Sequence, residues 1–302
     1  MLQKNGSSIS VVIPVKNRRE ELFRALRSVA NQSIALKEIF VIDDGSVFDI
    51  ESEVREQFPE VIYLKNEKSM GAPFCRNLGW KNATAEYIAF LDSDDEWMPE
   101  CLQRKLQFIK SNQLDFIVGS VTLDDGNERQ AIPFKVNLAL SLRENLLGNN
   151  RFDTRTSTFV LRTSLRDEIL FDEKLKKHQD WDLFLNVDSR FKTGFTNDFD
   201  TVIHISKTNR ISSNLNHPST IYFLSKNFNL VTQNTFFLFV VKMIYRAERN
   251  GDQLGTKEYR NLLNRFDGKE LSFRNRSLRL ALQSQMISAT QVFKLSKQLG
   301  QR

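Results

Sequence analysis

The sequence predicts an α/β fold, a mostly parallel sheet flanked by helices and followed by a helical C-terminal extension, on three observations. Short apolar runs alternate with amphipathic stretches of helical spacing, three successive runs end in polar or charged clusters, and from about Pro218 onward the periodicity is helical throughout. Strands that alternate with helices pair in parallel, with the helices covering both faces of the sheet. Ligands of such sheets sit beyond the carboxyl ends of the strands.

The elements follow in order. Ile9-Ser10-Val11-Val12-Ile13 reads as a fully buried strand, ended by Pro14 because proline has no N–H for a ladder. Glu20 to Ala30 sets Leu22, Phe23, Leu26 and Val29 at helical spacing, and Glu38 to Ile42 is a second strand running into Asp43-Asp44-Gly45-Ser46. The pattern repeats with a helix over Asp49 to Phe58, a strand over Val61 to Leu64, a helix over Ala72 to Ala83 and a strand over Tyr87 to Leu91. That last strand stops at Asp92-Ser93-Asp94-Asp95. A helix from Pro99 to Lys110 and a strand from Asp115 to Val121 come next, then an irregular region to about residue 177 with a strand near Thr156 to Leu161. Gln179 to Val187 begins a helix, Val202 to Ile205 is strand-like, and Glu270 to Leu282 is one of the closing helices. The chain divides into an α/β domain over 1–215, in parts 1–98 and 99–215, and an extension over 216–302.

Composition narrows the class. With 302 residues and 40% apolar content the chain buries a large core and is neither disordered nor fibrous. Cys75 and Cys101 occur without a secretory leader pattern, so a cytoplasmic location with no disulfide framework is expected. The strongest apolar stretch, Phe236 to Val241, stops at Lys242, short of the roughly 20 residues a membrane-spanning helix needs. Residues 241–302 hold 13 Lys and Arg against 5 Asp and Glu, a net of +8, leaving −2 for the rest of a chain whose formal charge is +6. Next to the aromatic segment Tyr222 to Tyr245, this basic region suits peripheral contact with an anionic membrane, each cation contributing about 1 kcal/mol. A helical cap with a solvated basic face gives the same pattern. Nucleic acid is not expected, for no helix-turn-helix, zinc-finger or aromatic RNA-binding signature is present.

The chemistry concentrates at the strand ends. Three carboxylates packed against a core edge are costly unless a cation, a ligand or water shares the place, so Asp92-Ser93-Asp94-Asp95 points to a divalent cation and phosphate. Lys16-Asn17-Arg18, Asp43-Asp44 and this acidic cluster should converge.

Five pieces in order resemble the inverting glycosyltransferases of family 2, which have the GT-A fold: Val11 to Arg18, Ile42 to Ser46, Gly71-Ala72-Pro73-Phe74-Cys75-Arg76-Asn77, Phe90 to Asp95, and Gln179-Asp180-Trp181-Asp182. The likeness runs from Ile9 to about Asn214. It implies a transferase that moves a sugar from a nucleotide-diphospho-sugar, most often a UDP-sugar, to a hydroxyl of a glycan or lipid-linked oligosaccharide in surface polysaccharide biosynthesis. On that resemblance 1–98 is the nucleotide-binding part and 99–215 the acceptor side. Pro14, Asn17, Asp43 and Asp44 match the nucleoside pocket, and Arg76 and Asn77 match donor-contacting positions. Asp94 is the expected direct ligand of Mn²⁺ or Mg²⁺, with Asp92 and Ser93 near the ribose or the metal's waters; such cations take one or two protein carboxylates plus substrate phosphates. Asp180 is the candidate catalytic base, which accepts the acceptor's proton during an inverting displacement; Asp182 competes, and Trp181 is packing or an acceptor platform. Two departures stand out. Gln179 replaces a frequent Glu, and Lys207 to Asn214 lacks the family's late metal-binding His, leaving Asn209, Arg210, His204 or His217 to substitute, or no third contact. These departures motivate the alternative of a catalytically inactive scaffold of glycan assembly.

Overall fold

The computed structural model describes residues 9–148, 152–205, 216–266, 269–284, 288 and 291. Met1–Lys135 with Arg151–Ile211 forms one compact unit, and Val136–Asn150 with Ser212–Arg302 forms the other. The segment 136–150, which the sequence-based division gave to the acceptor-side part, therefore belongs to the second, helical unit.

In the first unit the expected alternation appears as β1 (Ile9–Val15), α1 (Arg19–Ala30), β2 (Glu38–Asp43), α2 (Glu51–Gln57), β3 (Val61–Lys65), α3 (Ala72–Asn82) and β4 (Tyr87–Phe90). These strands lie side by side in the order β3-β2-β1-β4, all parallel. β5 (Asp95–Trp97), α4 (Cys101–Ser111), β6 (Phe116–Asp124) and β7 (Arg129–Ile132) follow, and after the excursion into the second unit come β8 (Val160–Arg162), α6 (Gln179–Asp188) and β9 (Thr193–His204); α5, in that excursion, is Leu142–Leu147. The sheet continues β4-β8-β6-β9-β5, with β8 antiparallel to both neighbours, β9 parallel to β6, β5 antiparallel to β9, and β7 on β6.

The core explains the continuous apolar runs. One face of the β1 and β2 strands packs Val11, Ile13, Ile39 and Val41 among Leu22, Leu26, Val54 and Leu102 of the helices. The other face meets α3, and there Gly79 is required: a Cβ at this position would stand 2.5 Å from Val12 Cγ1. Both faces of β1 are thus covered, which is why no polar alternation marks it.

Several expectations change. Pro14 does not end β1; it pairs with Ile42, and Val15 with Asp43. Backbone groups alternate sides along a strand, so the Pro14 nitrogen turns toward β4, where pairing has already stopped at Val12 and Phe90. Thr156 to Thr158 form a short 3₁₀ turn, with only Val160–Arg162 as strand. β9 is far longer than Val202 to Ile205, because a bulge opposite Gly119 to Val121, with Phe199 at φ 57°, breaks the alternation by which a strand is recognised. β5 and α5 were not foreseen: three residues carry no period, and α5 is announced only by the Ser141–Glu144 capping box.

The second unit holds α5, α7 (His217–Asn227), α8 (Gln233–Arg249), α9 (Gln253–Leu262) and α10 (Phe273–Gln283). Asn216, Thr232, Asp252 and Ser272 cap the last four by accepting from the backbone N–H three residues on. Phe228, Phe236, Phe237 and Phe266 pack together. Among the described residues no helix is long and apolar enough to cross a membrane.

Candidate active site

The carboxyl ends of β1, β2 and β4 are tied to one another side chain by side chain. Asp43, at the end of β2 and fully buried, accepts from Ser46 N–H at 2.8 Å and from the Tyr63 hydroxyl at 2.9 Å, with Lys65 Nζ at 3.8 Å. Ser46 Oγ in turn accepts from Asn17 N–H at 2.9 Å, and Asn17 Oδ1 accepts from Val47 N–H at 2.9 Å. Asn17 holds this place at φ 54°, a left-handed conformation that asparagine tolerates better than most residues. The neighbouring Arg18 pairs with Asp94 beyond β4, and Arg24 donates to the Asp94 carbonyl at 2.8 Å. One run of contacts thus links three strand ends.

Arg76 connects this wall to the next. It stands on α3, 5% exposed, donates from Nη2 to Asp92 Oδ1 at 2.5 Å and from Nη1 to Gln179 Oε1 at 2.8 Å, and stacks 5.3 Å from the Phe171 ring centre. Its buried Nε–H has no partner among the described residues. Gln179 opens α6, preceded by His178 at φ 64° with its ring against Trp181. Asp180 follows in the first turn, half-buried, and accepts from Trp181 N–H at 2.9 Å. Burial, reinforced by the negative charge of Asp153, pushes the Asp180 carboxyl up to about 6, against the opposing pull of Arg155, the Trp181 N–H and Arg76. A carboxylate so raised is a better proton acceptor near neutrality than an ordinary one. Asp182, its competitor, is buried.

The acidic cluster carries excess negative charge. Burial and the charge of Asp92 hold Asp94 above the usual carboxylate range despite Arg18, and burial with Asp92 and Asp94 raises Asp95 further. Asp95 is withdrawn from solvent and accepts from Ser157 Oγ at 2.5 Å, while Ser157 Oγ accepts from Asp92 N–H at 3.1 Å. Asp92 and Asp94 keep side-chain exposures of 33% and 38%, so both retain accessible oxygens. Two accessible carboxylates in a field that already favours added positive charge fit a divalent, oxygen-seeking cation. Among the described residues no set of three His, Cys, Asp or Glu side chains forms a metal-binding group. His204 lies 3.2 Å from Glu96 and 3.8 Å from Asp124, and His217 pairs with Asp252 and Tyr259; Asn209 and Arg210 fall outside the described residues.

Of the residues singled out from the sequence, Asn17, Asp43, Arg76, Asp92 and Asp94 belong to this linked network, with Asp180 next in the chain to Gln179, Pro14 in β1 and Ser93 buried between the two aspartates. Asp44 and Asn77 have other work. Asp44 accepts from Asn66, Ser69, Met70 N–H and Gly71 N–H at 2.6 to 3.2 Å, fastening the loop before α3, and these hydrogen bonds hold its carboxyl low against burial. Asn77 exchanges hydrogen bonds with the Phe171 backbone at 2.9 and 3.0 Å and donates to Glu173. Sequence reasoning missed Asp153, Arg155 and Ser157 altogether. Asp153 and Arg155 lie in an aperiodic segment and Ser157 at the start of the strand expected over Thr156 to Leu161, and nothing local distinguishes them.

Residues 10–170, more than half of the chain, match the family model described as glycosyl transferase family 2, and the chain belongs to that family. Its fold is the GT-A fold. The amylovoran biosynthesis glycosyltransferase AmsB of Erwinia amylovora is 34% identical over 200 residues, covering 62% of this chain and 65% of that protein. The UDP-Glc:alpha-D-GlcNAc-diphosphoundecaprenol beta-1,3-glucosyltransferase WfgD of Escherichia coli is 31% identical over 120 residues, 39% of this chain and 47% of that one. The chain thus spans less than two thirds of the length of either relative. The crystal structure of S. aureus TarS 1-349 in complex with UDP-GlcNAc shares the fold, with a TM-score of 0.71 at 20% identity over 97% of this chain and 92% of that one.

Proposed function

We propose that this chain is a metal-dependent inverting glycosyltransferase that moves a sugar from a nucleotide-diphospho-sugar, a UDP-sugar by preference, to a glycan or lipid-linked hydroxyl in polysaccharide biosynthesis. The observation that carries the reading is Arg76, which joins the acidic cluster beyond β4 to the start of the helix bearing Asp180. A donor-side charge site and a raised carboxylate in one network are what displacement at an anomeric carbon needs. The names of AmsB and WfgD support the polysaccharide setting, and the UDP-GlcNAc bound by TarS supports the donor class.

In this reading Asp43 and Asn17 receive the nucleoside. Asp180 takes the proton of the acceptor hydroxyl as its oxygen bonds to the anomeric carbon, and the bond from that carbon to the diphosphate breaks with inversion. Arg18 and Arg76, which pair with Asp94 and Asp92, supply positive charge on the side of the diphosphate. Asp94, with Asp92 beside it, would hold Mn²⁺ or Mg²⁺, which when bound supplies Lewis-acid neutralisation of that charge. Gln179, the departure that motivates a scaffold alternative, accepts from Arg76 and keeps its place in the network. A peripheral membrane contact is supported by α10, where Phe273 and Leu280 are 84% and 57% exposed beside Arg274 and Arg276.

A panel of nucleotide-sugars, screened by thermal shift and transfer with and without Mn²⁺, tests the reading. Stabilisation follows RT ln(1 + [L]/Kd), so about 2.7 kcal/mol is expected at a hundredfold excess over Kd. Absence of both stabilisation and transfer with every donor rejects it.

A further inference from the structure

Asp180 has neighbours that the displacement itself does not call for. Asp153 Oδ1 accepts the Trp181 indole N–H at 2.9 Å, and Asp153 Oδ2 pairs with Arg155 Nη2 at 2.7 Å. One carboxylate is therefore gripped both by the residue next to the base and by a cation. The segment that supplies them is firmly seated. Thr154, Thr156, Ser157 and Thr158 are buried, the Arg155 carbonyl accepts from Thr158 N–H at 2.9 Å and Thr158 Oγ1 at 2.7 Å, and the Ser157 carbonyl accepts the Trp97 indole at 2.6 Å. Arg155 itself is extended, at φ −130° and ψ 134°, so alternate residues 153 and 155 share a side while Thr154 is turned into the protein.

We propose that Asp153 and Arg155 are positioning residues for Asp180: the pair, anchored on the Trp181 indole, fixes the start of α6 and balances the base between its protonated and ionised forms. This rests on the reading of Asp180 as the base. Neither residue touches reacting atoms. Asp153 opposes ionisation of Asp180, and Arg155 favours it. Among the described residues the charged groups that act most strongly on Asp180 from the elements around it are these two and Arg76 on α3, while the His178 ring lies against Trp181 on α6 itself. Asp95 acts on Arg155 from the acidic cluster, so the same guanidinium that serves the base also senses the donor side. Opposite signs within one pair set the balance: deleting either member should move the base in a direction that the other deletion reverses.

The test follows the ionisation of Asp180 directly. In the full chain labelled with 13C at aspartate carboxyls, the resonance lost in Asp180→Asn reports this group, and its titration is compared with the acid limb of the transfer rate. Asp153→Asn should lower both midpoints and Arg155→Gln should raise both, each by about one pH unit. Arg155→Lys should restore the wild-type midpoint, and donor KM should stay unchanged in all three. Because the two shifts are opposite, either variant that folds gives a sign. Unmoved midpoints in Asp153→Asn and Arg155→Gln, with Asp180→Asn inactive, would overturn the positioning role and leave the base standing. Full turnover by Asp180→Asn would overturn the base and the proposal with it.

Discussion

The two walls of the site are built differently. At the strand ends of β1 and β2 the holding contacts are local or between adjacent loops: Asp43 to Ser46 is three residues, and Asn17 to Ser46 is twenty-nine. On the base side the reach extends much further, with Arg76 joining Gln179 across 103 residues, while Asp153 to Trp181 spans 28, much as Asn17 to Ser46 does. The first wall is a property of the parallel sheet, which delivers polar residues to the carboxyl ends of its strands whatever lies elsewhere. The second exists only when the whole unit is assembled. Donor binding should accordingly tolerate damage that transfer does not.

Variants of unequal reach separate the walls. The largest loss after that of the base itself is expected for Asp94→Asn, which removes a charge from the proposed cation and diphosphate site: transfer should fall about 10²- to 10³-fold, and chelation of wild type should mimic it. Turnover indifferent to chelator would break the metal assignment. Next, the rate should rise with pH through about 6 and level off above it, because Asp180 accepts a proton only when ionised and its folded value lies there. A flat profile from pH 5 to 8 would deny that Asp180 limits the rate. Asp44→Ala should leave four loop donors unsatisfied and lower stability by about 3 kcal/mol, measured by denaturant unfolding. That stability is present above the ordinary carboxylate range and is lost as pH falls through the depressed value of Asp44. The smallest effect belongs to Tyr63→Phe, which removes one hydrogen bond from Asp43; donor affinity should weaken about fivefold, equal to ~1 kcal/mol, with kcat unchanged.

The same contrast decides what could be read from the sequence. β1 to β4 were legible because buried parallel strands are unbroken apolar runs, and Asp43, Asp92 and Asp94 were legible because they interrupt those runs. Asp180 is singled out by the family resemblance alone, since an aspartate in a first helical turn is ordinary. Asp44 and Asn77 have the residue types of a ligand pocket but bond to loops whose approach no local pattern records. Asp153 and Arg155 lie in a stretch with no period, Ser157 follows at the start of an expected strand, and their roles depend on Trp181 and Asp95, which only folding brings near. β9 was shortened for a related reason, as its bulge at Phe199 shifts the alternation midway.

The decisive measurement is the pairing of donor affinity with turnover in Asp180→Asn. Calorimetric titration with UDP and Mn²⁺ should give wild-type affinity while transfer from the nucleotide-sugar falls about 10²- to 10⁴-fold. Undiminished transfer, or loss of UDP binding together with transfer, would contradict a site in which one wall holds the donor and the other takes the proton.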